Sequence, residues 1–254
     1  MNAGTLQIRL LGPVEVIIDG TARPLSGVRR KSVLAVLGLN PGTVVSSDRI
    51  VDIVWSERPP ATVTNSLQNN VSYLRSTLAG RAGIVARPPG YRLDATARET
   101  DAGLAEDLIR QGRSATDPVT GAARLRSALR LFRGHALSDV VGTPWLDGQA
   151  ARLNRLWLEG TQALTEARLA LGEHAQLVPE LEQLALEHPL VENIHRQLML
   201  ALYRCGRATE ALAAYQRVSD SMMDELGIDP GPDLRDLHAA IRRRDHRLAP
   251  AGGA

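Results

Sequence analysis

The chain is poor in the residues that redox and hydrolytic sites are built from. One cysteine, Cys205, stands among 254 residues, which excludes an internal disulfide and any cysteine-based zinc cluster. A single phenylalanine leaves the core to Leu, Val, Ala and Ile. Lys31 is the only lysine and follows Arg30, so no Gly-Lys-Ser/Thr phosphate loop exists. The six histidines (135, 174, 188, 195, 238 and 246) show no His-Glu-x-x-His or other ligand spacing. They read as surface or cap residues, and Cys205 as packing. No Gly-x-Ser-x-Gly elbow occurs. No run approaches the ~18 consecutive apolar residues of a membrane span. The first residues, MNAGTLQIRL, carry no charged region ahead of an apolar stretch, so no leader is expected. These absences predict a chain that is not an enzyme, uses no cofactor or metal, touches no membrane and works in the cytoplasm.

What is present is 44% hydrophobic residues, enough to bury a sizeable core, and an uneven charge. Residues 1–96 hold 11 Lys and Arg against 6 Asp and Glu, while residues 97–254 hold 19 against 22. A basic front and a faintly acidic back suit nucleic-acid contact by the first and protein contact by the second, although a chance partition gives the same numbers.

Local signals divide the chain in the same place. Leu6–Leu11 and Val14–Ile18 are β-prone runs broken by Gly12-Pro13, and Asp19-Gly20 turns the chain into a return strand, Thr21–Leu25. A helix is expected at Arg29–Leu39, with Val33, Leu34, Val36 and Leu37 facing inward and a stop at Asn40-Pro41-Gly42. Ser46 and Ser47 are N-cap candidates for a second helix, Asp48–Trp55, closed by Pro59-Pro60. A third helix spans Thr62–Ala79, followed by a Gly-marked turn. Ile84–Arg87 and Tyr91–Leu93 then pair across Pro88-Pro89-Gly90. From Thr100 onward nearly every segment reads as helix, broken at 112–117, 134, 142–144, 172, 188–189, 206 and 227–232. Gly172 and Gly206 lie 34 residues apart, the tetratricopeptide length. Val178 and Leu212, Leu181 and Tyr215, and Leu184 and Val218 keep the same step. The boundary falls near Asp94–Glu99 with no low-complexity linker, so the two parts are free to pack together.

The third helix carries the chemistry. At ~100° per residue, Val63, Leu67, Val71, Leu74 and Leu78 form one stripe for packing. Asn65, Gln68, Asn69, Ser72 and Arg75 fall opposite. No carboxylate lies between Thr62 and Ala79, where a solvated face would carry Glu and Lys. Asn and Gln read adenine through paired hydrogen bonds, Arg grips guanine or a phosphate, and Ser suits a phosphate or either base. Arg87 stands in the hairpin beside the turn, where an arginine enters a narrow minor groove, or serves as an ordinary exposed turn residue. Tyr91 either reaches a phosphate or packs on the hairpin. Trp55 reads as core, with an indole N–H able to reach backbone. Arg29, Arg30 and Lys31 read as solvated charges in preference to phosphate clamps.

Residues 6–93 resemble an OmpR/PhoB-type winged helix-turn-helix domain. From LLGPVEV through VVSSDRIVDIVWSERPP, NSLQNNVSYLRSTL and RPPGYRL, the whole chain resembles the Streptomyces antibiotic regulatory protein family. HPLVENIHRQLMLALYRCGRATEALAAYQ and LGIDPGPDLRDLHAAI are similar to that family's bacterial transcriptional activation domain. An arginine-rich chain with one lysine also suits a GC-rich actinomycete genome. The resemblance covers roughly residues 6–243. It implies a mostly α fold with a small β part: a DNA-binding domain over 1–96, an all-α tetratricopeptide-like activation domain over 97–246 and a flexible tail over 247–254.

It further implies that the third helix enters the major groove with Asn69, Ser72, Tyr73 and Arg75 near bases or phosphates. Asn65, Ser66 and Tyr91 would lie near the backbone, and Arg87 would be the minor-groove arginine of the wing. Response-regulator relatives often carry arginines where this helix has Ser72 and Tyr73, which shifts base reading toward Asn69, Arg75 and DNA shape. The implied partners are double-stranded DNA with direct repeats, a second copy bound head to tail, and RNA polymerase, touched at the sigma factor near −35 and at the C-terminal domain of the alpha subunit. The implied role is activation of an antibiotic gene cluster, on the nucleoid. With no receiver domain ahead of Leu6, sensor-kinase control is not expected. A repressor with the same DNA domain, or a tetratricopeptide-like adaptor without DNA affinity, are the competing readings.

Overall fold

The computed structural model describes residues 6–56, 59–78, 83–140 and 142–248. It divides into two compact units. The first comprises residues 1–111 and 124–160, the second residues 112–123 and 161–254.

The first unit opens with an antiparallel sheet, β1 (Leu6–Arg9), β2 (Glu15–Ile18) and β3 (Thr21–Arg23), in that spatial order. Leu6 faces Ile18 and Ile8 faces Val16 across the first pair, so alternate apolar residues share one face. Each strand is shorter than the run that predicted it: β1 ends before Leu10 and Leu11, which leave the ladder to serve the core, β2 starts one residue later and β3 ends at Arg23. Three helices follow, α1 (Val28–Gly38), α2 (Ser47–Trp55) and α3 (Val63–Thr77). Helix α1 is buried from Ser32 to Gly38 on all sides, wider than the four inward residues expected. Ser46 caps α2 by accepting the Arg49 N–H, 3.2 Å.

A short strand, β4 (Val44–Ser46), was not expected. It pairs with β6 (Gly90–Asp94), which also pairs with β5 (Gly83–Arg87), giving a second sheet in the order β4-β6-β5. The signal for β4 is two adjacent valines, too short a run to show a period.

The helices α4 (Asp101–Arg113), α5 (Pro118–Leu129) and α6 (Pro144–Ala170) follow, each in part within the first unit. Ile8, Leu10, Leu34, Leu67 and Leu74 share one core with Ala105, Leu137 and Leu153. Two acids, the buried Asp101 and the half-buried Asp139, fasten the two sets of residues. The Asp101 carboxylate accepts the Leu10 and Leu11 N–H groups at 2.6 and 3.1 Å and lies 3.6 Å from Arg133. Burial pushes its pKa up, against the pull of those two amides and of Arg133. Asp139 accepts the Val14 N–H at 2.9 Å and pairs with Lys31 at 2.5 Å. The segment after Thr100 thus completes the hydrogen bonding of the N-terminal sheet.

In the second unit, α7 (His174–Glu187), α8 (Glu192–Arg204), α9 (Ala208–Leu226) and α10 (Pro232–Arg242) pack as successive antiparallel neighbours. Leu177, Val178, Leu181, Ile194, Leu198, Leu202, Ala211, Ala214 and Val218 form its interior. The 34-residue step holds for the first helix of each pair, since α7 starts at His174 and α9 at Ala208. It fails for the second helices, because α9 has 19 residues against 14 in α7 and delays α10. Two of the six histidines depart from the surface reading. His174 and His195 are buried, at 7% and 6% exposure, and the His195 Nε2 lies 2.9 Å from the Pro189 carbonyl. His195 follows Ile194 on the inward face of α8, and burial lowers its pKa. Cys205 is half-buried at the end of α8. Among the described residues no helix is long and apolar enough to cross a membrane.

Candidate nucleic-acid interface

Helix α3 is held by the stripe that its sequence predicts. Leu67, Val71, Leu74 and Leu78 are buried, Val63 is half-buried, and the helix packs against α1 and α2. Its start follows Pro59-Pro60, with the Ser66 N–H donating to the Thr62 carbonyl at 3.0 Å. Its end is closed at Leu78, whose N–H donates to the Leu74 carbonyl at 2.9 Å. Of the expected Thr62–Ala79 span, Ala79 and the Gly-marked turn lie outside the described residues, as do residues 249–254 of the expected tail.

With the stripe inward, Asn65, Gln68, Asn69, Ser72 and Arg75 are exposed, and Ser66 and Tyr73 half-exposed. Among the described residues the side chains of Asn65, Gln68, Asn69 and Ser72 make no hydrogen bond within the chain. They form a donor and acceptor array left to an external ligand. Two predicted residues are committed internally as well. Arg75 donates from Nε to the Ile84 carbonyl at 2.7 Å, which ties α3 to β5 while the residue stays exposed. The Tyr73 hydroxyl donates to the Pro24 carbonyl at 3.3 Å.

The hairpin pairs as expected, Ile84 with Leu93 and Arg87 with Gly90. At Gly90 a side chain is impossible, because a Cβ there would stand 1.9 Å from the Val45 carbonyl oxygen. That close approach lets β4 pair with β6 and fixes the wing to the domain. The Ser47 N–H donating to the Pro89 carbonyl, 3.1 Å, adds a second tie. Arg87 is exposed beside this anchored turn, and Tyr91 is half-buried against the core.

Arg29, Arg30 and Lys31 are not merely solvated. Arg29 lies over the Trp55 ring, 5.7 Å from its centroid, and Arg30 over the Tyr73 ring at 4.1 Å. Lys31 is paired with Asp139. Trp55 is core at 6% exposure, and its indole N–H meets no acceptor among the described residues. Among the described residues, Arg23, Arg29, Arg30, Arg49, Arg75 and Arg87 form no ion pair with a carboxylate. This half of the first unit therefore presents an amide and hydroxyl helix face, an anchored wing and positive charge without internal neutralisation. Its chemistry suits a polyanion that offers both a wide groove and a narrow one. Among the described residues no group of His, Cys, Asp and Glu is placed to hold a metal ion.

Comparison with known proteins points the same way. The family described as "Bacterial transcriptional activator domain" matches residues 100–242, and "Transcriptional regulatory protein, C terminal" matches residues 27–93. The regulatory protein DnrI of Streptomyces peucetius is 34% identical over 253 residues, covering 94% of this chain and 93% of DnrI. The transcriptional regulatory protein EmbR of Mycobacterium tuberculosis is 36% identical over 247 residues, 94% of this chain but 64% of EmbR. The regulatory protein AfsR of Streptomyces coelicolor is 34% identical over 257 residues, with 26% of its own length covered. The chain thus spans slightly less than two thirds of EmbR and about a quarter of AfsR. The solved structure of M. tuberculosis EmbR in complex with a low affinity phosphopeptide superposes with a TM-score of 0.89 at 34% identity, covering 95% of this chain and 66% of that one.

Proposed function

The chain belongs to the Streptomyces antibiotic regulatory protein family of transcriptional regulators, and from that premise we propose that it activates an antibiotic gene cluster by binding promoter DNA. Residues 1–96 grip the duplex and residues 97–246 contact protein. Helix α3 enters the major groove with Asn65, Gln68, Asn69, Ser72 and Arg75 toward bases and phosphates, and Arg87 enters the minor groove. The observation that carries this reading is the α3 face itself, free of carboxylate and with the Asn65, Gln68, Asn69 and Ser72 side chains free of internal hydrogen bonds, set beside an anchored arginine wing.

A face made of three amide groups, a hydroxyl and one arginine supplies few strong base contacts. A single copy is then weakly selective, and two copies on direct repeats give the selectivity. Direct repeats place the copies head to tail, so their mutual contact is heterologous and not two-fold symmetric. Bound beside the −35 element on the nucleoid, the pair touches the sigma factor of RNA polymerase and the C-terminal domain of its alpha subunit. No enzymatic step is assigned.

A reporter driven by the target promoter tests this. Inserting half a helical turn between the repeats turns one copy to the far side of the duplex and abolishes activation, whereas a full turn restores part of it. Activation that ignores the insertion overturns the tandem arrangement. Transcription that rises when the protein is deleted identifies a repressor instead.

A further inference from the structure

Arg30 stands in the first turn of α1 with its guanidinium carbon 4.1 Å from the centroid of the Tyr73 ring. Tyr73 follows Ser72 on α3 and lies one helical turn beyond Asn69, so its ring marks the edge of the reading face. The Tyr73 hydroxyl bonded to the Pro24 carbonyl fixes that ring against the segment leading into α1. A guanidinium stacked on a ring keeps its N–H groups in its own plane, directed sideways. One of them makes a long contact to the Ser26 carbonyl, 3.4 Å. No described carboxylate takes the others. Its two neighbours are engaged elsewhere, Arg29 over Trp55 and Lys31 with Asp139. A helix lying in the major groove is flanked by the phosphate walls of that groove, and a rigid, unneutralised guanidinium at the edge of the helix meets one of them.

We propose that Arg30 is a phosphate-binding residue of the DNA interface and that Tyr73 is the residue that positions it. The proposal rests on the DNA-binding reading above and changes the role of Tyr73, from base reader to platform. The stacked guanidinium is already ordered, so less side-chain freedom is lost when a phosphate binds.

The test uses the full chain and a labelled mixed-sequence duplex of about two helical turns, since a phosphate contact weakens binding uniformly across sequences. Arg30→Gln lowers affinity on the order of threefold to tenfold at about 0.1 M salt. The slope of log K against log salt becomes less steep by about 0.9. Tyr73→Phe keeps the ring but loses its bond to Pro24, and falls between the parent protein and Tyr73→Ala. Tyr73→Ala loses affinity, and Arg30→Gln added to it costs less than it does alone. Melting temperature checks that each variant folds. Arg30→Lys, which keeps the charge without the planar stack, retains the slope but binds more weakly, and it substitutes for any variant that fails to fold. If the parent protein binds and Arg30→Gln matches it in affinity and slope, this proposal is overturned while the DNA reading stands. If Tyr73→Ala and Arg30→Gln add in full, Tyr73 positions nothing. If the parent protein binds no duplex, both readings fall.

Discussion

Arg30 and Arg87 in the first unit meet no described carboxylate, whereas Arg168 and Arg207 in the second are each held by two. Arg168 contacts Glu173 and Glu180, both at 2.6 Å. Arg207 contacts Glu210 at 2.6 Å and Glu182 at 3.9 Å. Two carboxylates of the first unit, Asp101 and Asp139, are spent on its own backbone instead. Asp101 and Asp139 bind backbone amides of the N-terminal sheet, together with Arg133 and Lys31. The same residue type thus has two uses. In the helical repeats arginine fastens one helix to the next. On the α3 side it stays uncompensated, which costs stability through mutual repulsion and leaves charge for a polyanionic partner.

The largest effect that bears on this contrast falls on Asp101. Asp101→Ala leaves the Leu10 and Leu11 amides and Arg133 without their acceptor and costs about 3 kcal/mol of stability in denaturant unfolding. Hydrogen exchange resolves where, with amides of the N-terminal sheet losing protection and those of α8 keeping it. Next is Arg87→Ala, which weakens duplex binding by about 1–3 kcal/mol with an unchanged melting temperature. A shift in melting temperature would make Arg87 a structural residue and erase the contrast. Arg168→Ala inverts that pattern. It costs about 1 kcal/mol of stability, since its partners are partly exposed, and leaves DNA affinity unchanged.

The smallest effect is a pH drift confined to the second unit. Burial lowers the pKa of His174, His195 and His238, with help from Arg204, Arg217 and Arg242 respectively. In the unfolded chain these imidazoles titrate near their ordinary value, about 6.5. The unfolded state therefore takes up protons first as pH falls. Stability of the helical repeats is full above about pH 6.5 and declines below it. Exchange protection of α8 measured on either side of that value reports the change, and protection that rises on acidification contradicts it.

Helix α3 was legible because it obeys one rule along its length. Its apolar stripe, from Leu67 to Leu78, is buried, and its carboxylate-free face is exposed. The wing was legible from Pro88-Pro89-Gly90. The parts that escaped depend on partners far along the chain. Asp101 reaches Leu10 across 91 positions and Asp139 reaches Val14 across 125, and no local pattern marks either. Strand β4 is three residues long and exists because Gly90 lets its carbonyl come close. Arg30 reads as a solvated charge in sequence, since only the packing of α1 against α3 brings Tyr73 beneath it. The repeat was half legible. The step of 34 marks α7 and α9 but not the helices that follow them, because the longer α9 shifts what comes after.

The central claim is that the uncompensated arginines of the first unit hold a polyanion. The most direct test is the affinity of the full chain for duplex DNA measured across a salt series. The account predicts log K falling linearly with log salt, with a slope of roughly −4 to −5 per bound copy. Binding that is absent at low salt, or that does not weaken as salt rises, would contradict it.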